Sequence, residues 1–171
     1  MTLALLEYEL SFIAISEIEF QLPPYDFAYL KRLHHHVFKD IYEWAGEIRT
    51  IDITKGNTRF CTASRIEPEV TKVFQAMAHK NLFEGLDRPT LITSVAESFG
   101  DLNMVHPFRE GNGRTQRLLF EHVIANAGFK TTWWAVEESE WIAANIDAVL
   151  CDYTALERIF ARVIGAPLKF D

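Results

Sequence analysis

Apolar residues recur along most of this chain at the three- and four-residue spacing of helices that bury one side. Leu3, Leu6, Leu10 and Ile13 open the pattern and predict a first helix that ends before Pro23-Pro24. Phe27, Leu30, Val37, Phe38 and Ile41 predict a second, stopping near Ala45-Gly46. A third opens at Ser64, with Glu67 completing a capping box, and carries Val70, Val73, Phe74 and Met77. Leu91, Val95, Phe99 and Leu102 predict a fourth; Leu118, Leu119, Val123 and Ile124 a fifth, closed by Gly128. Trp141, Ile142, Ile146 and Val149 mark a sixth, and Leu156, Ile159, Phe160 and Val163 a seventh, closed by Gly165. One stretch, EIRTIDITKGNTRFCT, breaks the rhythm. Ile51 and Ile53 alternate with polar residues, Lys55-Gly56-Asn57 has turn chemistry, and Thr58 to Cys61 can run back as a second strand. No repeat, low-complexity tract or composition break marks a boundary. The expectation is one mainly α domain over residues 1–171, with a single β-hairpin at about 47–61.

Composition narrows the function. The chain has 171 residues, 49% hydrophobic and 24% charged, which is globular and long enough for a real core. A net charge of −7 argues against wholesale nucleic-acid binding and sets off Arg109, Arg114 and Arg117 as a local cluster for a small anion. The N-terminal apolar run lacks a basic leader and is interrupted by Glu7, Glu9, Glu17 and Glu19, so neither a signal peptide nor a membrane span is expected. That reading places the protein in the cytoplasm. Cys61 and Cys151 lie far apart outside any CxxC spacing and read as buried thiols rather than a disulfide or zinc framework.

Three further features are weighed and set down. His34, His35 and His36 point about 100° apart on a helix, cannot converge on one ion, and read as surface or partly buried residues. Trp133, Trp134 and Trp141 read as core rather than as an adenine platform. Glu137, Glu138 and Glu140 read as an acidic helix start.

Chemistry concentrates in NMVHPFREGNGRTQR, Asn103 to Arg117. Pro107 disfavours helical geometry at His106, so the fourth helix should end there, and the fifth should begin at about Asn112 to Arg114. An anion in the intervening loop would meet backbone N–H groups at the positive end of a helix dipole. Arg114 and Arg117 sit three apart, on one side of the first turn, and can reach successive phosphates. Glu110 would repel a bare phosphate but suits Mg²⁺, which binds through one or two carboxylates plus substrate phosphates. His106 suits a general base at neutral pH. The loop is neither a Walker A motif nor a dinucleotide fingerprint. The residues themselves therefore point to a Mg²⁺-nucleotide or polyphosphate site with a histidine base beside it.

HPFREGNGRTQR resembles the signature of Fic-domain proteins, H-x-F-x-[DE]-G-N-G-R-x-x-R, at every fixed position, and the likeness extends upstream through HHHVFKDIYEWAGEIRT and the hairpin. The resemblance implies an all-α Fic fold, a helical bundle with a hairpin flap and a central helix–loop–helix motif at 106–117. It also implies transfer of AMP from ATP to a Tyr, Thr or Ser hydroxyl of a target protein, with pyrophosphate leaving. Carried over, His106 deprotonates the hydroxyl, Phe108 anchors the loop, and Glu110 holds Mg²⁺. Gly111, Asn112, Gly113 and Thr115 cradle the nucleotide, and Arg114 and Arg117 take the β- and γ-phosphates. The hairpin becomes a flap whose Ile51, Asp52, Ile53, Thr58, Arg59 and Phe60 pair with an extended target segment, while Lys55 and Gly56 at its turn reach the nucleotide.

Restraint in the family comes from a helix bearing [ST]-x-x-x-E-[GN], whose glutamate pairs with the second motif arginine, here Arg117. No stretch of this chain fits; Glu84-Gly85 comes nearest but is preceded by Lys80 where Ser or Thr belongs. The resemblance therefore implies a toxin-like enzyme held by a small separate antitoxin that supplies the helix. Relatives of this kind include modifiers of type II DNA topoisomerase subunits. The chain starts almost directly in its first helix, which also fits the Fic module of a larger, translocated effector. The alternatives are another transfer on the same scaffold, phosphoryl or phosphocholine, or a catalytically silent nucleotide-binding module. Intact Gly111 and Gly113 disfavour the phosphoryl branch, and His106 disfavours the silent one.

Overall fold

The computed structural model describes residues 2–169 and is mainly helical, as the apolar pattern predicts. Its helices are α1 (Leu3–Ser16), α2 (Phe27–Phe38), α3 (Ile66–His79), α4 (Arg88–Val105), α5 (Asn112–Asn126), α6 (Glu138–Val149) and α7 (Thr154–Val163). Side-chain caps start three of them. Thr2 accepts the Leu5 N–H, Asp26 the Tyr29 N–H and Asp87 the Thr90 N–H, each satisfying a donor that has no partner within its helix. Helix α4 is the axis of the molecule, packed against α3, α5, α6 and α7. Its Phe99 meets Phe120 of α5 at 5.2 Å and Phe160 of α7 at 5.5 Å between ring centroids. With α4 buried along its length, its C-terminal end is a fixed point on which a site can be built.

Several local expectations are corrected. Helix α1 closes at Ser16, well short of the prolines, and its predicted stripe is not its buried side. Leu3, Leu6 and Ile13 are exposed, while Glu7, Leu10, Ser11, Ala14 and Ile15 face inward, because polar partners on the body hold Glu7 and Ser11. Helix α2 stops at Phe38 rather than near Gly46. The Ile41 and Tyr42 N–H groups both bond the Phe38 carbonyl and turn the chain there. The capping box at Ser64 does not form: residues Ala63–Arg65 make a 3-10 turn before α3, and the Ala63 N–H is satisfied by Asp52 instead.

The hairpin ladder is short, β1 (Thr54–Lys55) against β2 (Thr58–Arg59), with Gly56 at φ +59° in its turn. It is not the single sheet. Strand β3 (Phe129–Thr131) pairs antiparallel with β4 (Ile164–Pro167), so Gly165 lies in a strand and does not cap α7. Three residues are too few to show alternation, and glycine and proline disguise a short edge strand. Neither cysteine is a buried thiol: Cys61 is half-buried and Cys151 exposed.

Candidate active site

The motif folds around the end of α4. His106 follows Val105 in the left-handed region, φ +52°, with its N–H still bonded to the Leu102 carbonyl. Gly111, at φ +77°, precedes the first residue of α5, and a Cβ there would stand inside the Phe38 ring, so only glycine fits. Asn112 clamps the loop between them: its Oδ1 accepts the Phe108 N–H at 2.9 Å and its Nδ2 donates to the Phe108 carbonyl at 2.7 Å. Its side chain is thus a brace, leaving its backbone to face a ligand. Phe108 is buried, stacked on His34 at 3.9 Å.

His34 corrects the reading of the histidine run and is a site residue that sequence reasoning missed. It is fully buried, accepts the Gly46 N–H at Nδ1 (2.8 Å), and therefore carries its proton on Nε2, which donates to the Glu110 carbonyl at 2.8 Å. Burial pushes its pKa down to about 4, keeping it neutral. One helical histidine thus fixes the loop through both Phe108 and Glu110. The only sequence signal was its place on the apolar side of α2.

The same logic sets the state of His106. Its Nδ1 lies 3.1 Å from the Asn103 carbonyl, which requires the proton there and leaves the lone pair on Nε2. Burial lowers its pKa to about 4, assisted by the nearby charges of Lys55 and Arg49 and opposed by the Asn103 bond. Phe60 of the hairpin stacks over the imidazole at 3.8 Å, nearly parallel.

Arg49 ties the two parts together and was also missed. It is 2% exposed, and its guanidinium donates to four carbonyls, those of His106 (2.7 Å), Ile51 (2.7 Å), Cys61 (2.5 Å) and Val105 (3.0 Å). Its own N–H bonds the Pro107 carbonyl at 3.0 Å. A buried cation is tolerated here because it sits on the negative end of α4. In the sequence it is one arginine between apolar neighbours, indistinguishable from a surface residue.

The cations divide. Arg114 donates to Glu7 at 2.5 Å and Ser11 Oγ at 2.7 Å, both on α1, and lies over the Phe38 ring. Arg117 is half-buried over Trp133, whose indole N–H donates to Glu121 at 2.8 Å. Burial lowers the Arg117 pKa and raises that of Glu121. Arg109 is exposed beside Trp44. Glu110 is exposed at the loop rim, and no cluster of three His, Cys, Asp or Glu side chains exists among the described residues. A metal held by Glu110 would need further oxygens from its ligand, which suits Mg²⁺ carried on phosphates. A Cβ on Gly113 would meet nothing within 4 Å, so the space beside the first turn of α5 is open, and the first N–H groups of a helix have no partner within it.

Three expected site residues are placed otherwise. Thr115 is fully buried, so its side chain is kept from a nucleotide by the core around it. Asp52 is occupied at the hairpin base, accepting from Ala63 N–H at 2.8 Å and Arg59 at 3.2 Å. Phe60 is buried against His106 rather than turned outward. Ile51, Thr54, Lys55 and Gly56 are exposed, and Ile53 and Thr58 half-buried. Of the tryptophans, Trp133 and Trp141 pack against the core, while Trp134 is 86% exposed.

Comparison with known proteins supplies independent information. Residues 24–124 match the model of the Fic/DOC family. The chain is 32% identical over 158 residues to the Escherichia coli K12 protein named "Probable protein adenylyltransferase Fic", covering 92% of this chain and 79% of that one. Among solved structures, a VirB-translocated effector of Bartonella quintana, its N-terminal Fic domain solved with ADP bound, aligns with a TM-score of 0.88 at 28% identity, over 98% of this chain and 86% of that one. The BepC protein of Bartonella tribocorum, solved with AMPPNP, aligns with a TM-score of 0.91 at 23% identity, over 98% and 88%. At that identity the second likeness speaks for the fold alone.

Proposed function

The chain belongs to the Fic/DOC family and is an enzyme of the adenylyltransferase kind, and from that premise we propose that it moves AMP from ATP to a hydroxyl side chain of another protein. The observation that carries the reading is His106, with Nδ1 committed to Asn103 and Nε2 free, beside an open helix N-terminus flanked by arginines. The target oxygen attacks the α-phosphorus, its proton passes to His106 Nε2, and the bond from the α-phosphorus to the bridging oxygen breaks as pyrophosphate leaves. The N–H groups of Gly113 and Arg114 face the charge that builds on the phosphate oxygens, and Arg117 faces the end of the chain that departs. Glu110 is the residue that would hold Mg²⁺, whose charge would neutralise those oxygens.

The exposed hairpin supports docking of an extended target segment along its strands, with Ile51 the apolar contact outside the ladder. A separate antitoxin helix reaching Arg117 is part of the same proposal, motivated by the lack of an [ST]-x-x-x-E-[GN] stretch in the sequence. A topoisomerase subunit as target, and a cytoplasmic or translocated location, belong to it as well. No helix among the described residues is long and apolar enough to cross a membrane.

The test is incubation of the protein with a lysate and ATP labelled at the α- or γ-phosphate. Label moving to protein from the α position alone is expected. Transfer from γ would make it a kinase, and binding without either transfer would make it a silent module. Purification from the native host is expected to bring down a small stoichiometric partner carrying the inhibitory helix; a chain recovered alone and fully active would remove the antitoxin.

A further inference from the structure

Helix α1 is an unusual element. Apolar residues lie on all sides of it, yet Leu3, Leu5, Leu6, Tyr8, Phe12 and Ile13 are exposed, and Ser11 is its one fully buried residue. Hydrophobic burial therefore does little to hold it. Its polar contacts with the body meet at Glu7 and Ser11, and one side chain of the phosphate site bonds both. Ser11 Oγ accepts from Arg114 Nη1 at 2.7 Å. Glu7, one turn earlier on the same side, accepts from Arg114 Nη2 at 2.5 Å through Oε1. Its other oxygen accepts from the Tyr42 hydroxyl at 2.5 Å, which fixes the carboxylate from the opposite side.

We infer that Glu7 is a positioning residue for Arg114: with Ser11 and Tyr42 it sets the guanidinium in one orientation over Phe38, ready for a phosphate. The inference rests on the nucleotide reading of the site. A guanidinium has five N–H donors in a rigid fork. Two bonds to α1 leave donors for a ligand while removing the rotations that binding would otherwise have to freeze. The ion pair is more than a surface pair, since the two side chains are only 25% and 19% exposed. Burial pushes the Glu7 carboxyl up, but the bonds from Tyr42 and Arg114 outweigh it and hold its pKa below the usual value. Glu7 is thus charged at neutral pH. In this view α1 is retained for what it does to Arg114.

Titration of the protein with AMP, ADP and ATP, each with Mg²⁺, separates the outcomes. AMP lacks the phosphates assigned to Arg114, so it reports on the rest of the site and on folding. In Glu7→Ala, ADP and ATP are expected to weaken about tenfold, with AMP unchanged within about twofold. Glu7→Gln keeps an acceptor and should recover most of the loss, and Ser11→Ala should lose about threefold. KM for ATP should rise more than kcat falls. Equal affinities in wild type and Glu7→Ala would overturn the inference, as would tighter ATP binding, which would make Glu7 a competitor of phosphate. So would a loss shared equally by AMP. A wild-type chain that binds none of the three would sink the nucleotide reading itself, and the role of Glu7 with it.

Discussion

At His106 the hydrogen bond to Asn103 and the burial of the ring act on different properties. The bond decides which nitrogen accepts a proton; burial decides at what pH that nitrogen is empty. With the pKa lowered to about 4 from 6.5, protonation, which disables the base, sets in only in acid. The acid limb of kcat/KM is therefore expected near pH 4, with a flat profile from about pH 6 to about pH 8. A midpoint near 6.5 would mean an exposed ring and a wrong geometry. His106→Ala should abolish transfer and leave ATP binding intact; an unchanged rate would remove His106 from the mechanism. The two loop glycines should behave oppositely. Gly111→Ala drives a Cβ into Phe38 at a left-handed φ and should cost about 3 kcal/mol in urea denaturation. Gly113→Ala enters open space, so stability should change by less than about 1 kcal/mol, while ATP affinity drops because the methyl fills the phosphate seat. His106, Gly111 and the arginines were legible because their residue types are rare in such a combination. His34 was not, because a buried neutral histidine leaves no trace in the sequence when its partners are backbone groups 76 and 12 residues away.

The elements divide in the same way. Apolar spacing located the seven helices of the described residues, since a helix that faces a core must repeat every three to four residues. It misjudged α1, whose inward side is chosen by Arg114 rather than by the core, and the β3–β4 pair, too short to alternate. The hairpin was legible from its turn; its attachment was not. Arg49 supplies that attachment, joining Ile51 and Cys61 of the hairpin base to Val105 of α4 and His106 just after it. Arg49→Met leaves those carbonyls without a donor and is expected to cost about 3 kcal/mol or more of stability. Even where the variant folds, kcat should fall more than ATP affinity, because the hairpin and the base lose their shared anchor while the first turn of α5 does not. Arg49→Lys, unable to span four carbonyls, should recover only part of either. Equal loss in kcat and nucleotide binding would show that Arg49 supports the fold alone.

Across the whole molecule, the core that carries these elements also buries His34 and His122, half-buries His106, and lowers the pKa of each. Unfolded histidines take up protons below pH 6.5, whereas folded His34 and His106 do not until about pH 4, and burial holds His122 below its ordinary value as well. The unfolded state therefore gains as pH falls through that window. The histidine contribution is fully present above about pH 7 and declines toward pH 4; the raised pKa values of Asp101 and Glu121 act in the other direction, costing stability as pH rises above the ordinary carboxylate range. Urea midpoints at pH 7.5 and pH 5 should differ accordingly, and His34→Gln should reduce the difference. No change between the two pH values would mean that these rings are solvated. The net charge of −7 and the lone arginine cluster were readable from composition, but not which cations would be engaged within the chain, since that depends on α1 folding back across the motif.

The ring of Phe60 has an implication for fidelity. Any enzyme that activates a phosphoanhydride for attack by a protein hydroxyl stands in water, whose own hydroxyls are far more numerous. Here an aromatic plane belonging to the hairpin lies flat on one face of the imidazole and keeps water off that face. Phe60→Ala should accordingly release AMP and pyrophosphate from ATP with no acceptor protein present, at a rate measurable above wild type. Wasted ATP, rather than lost transfer, would be the mark of an uncovered base.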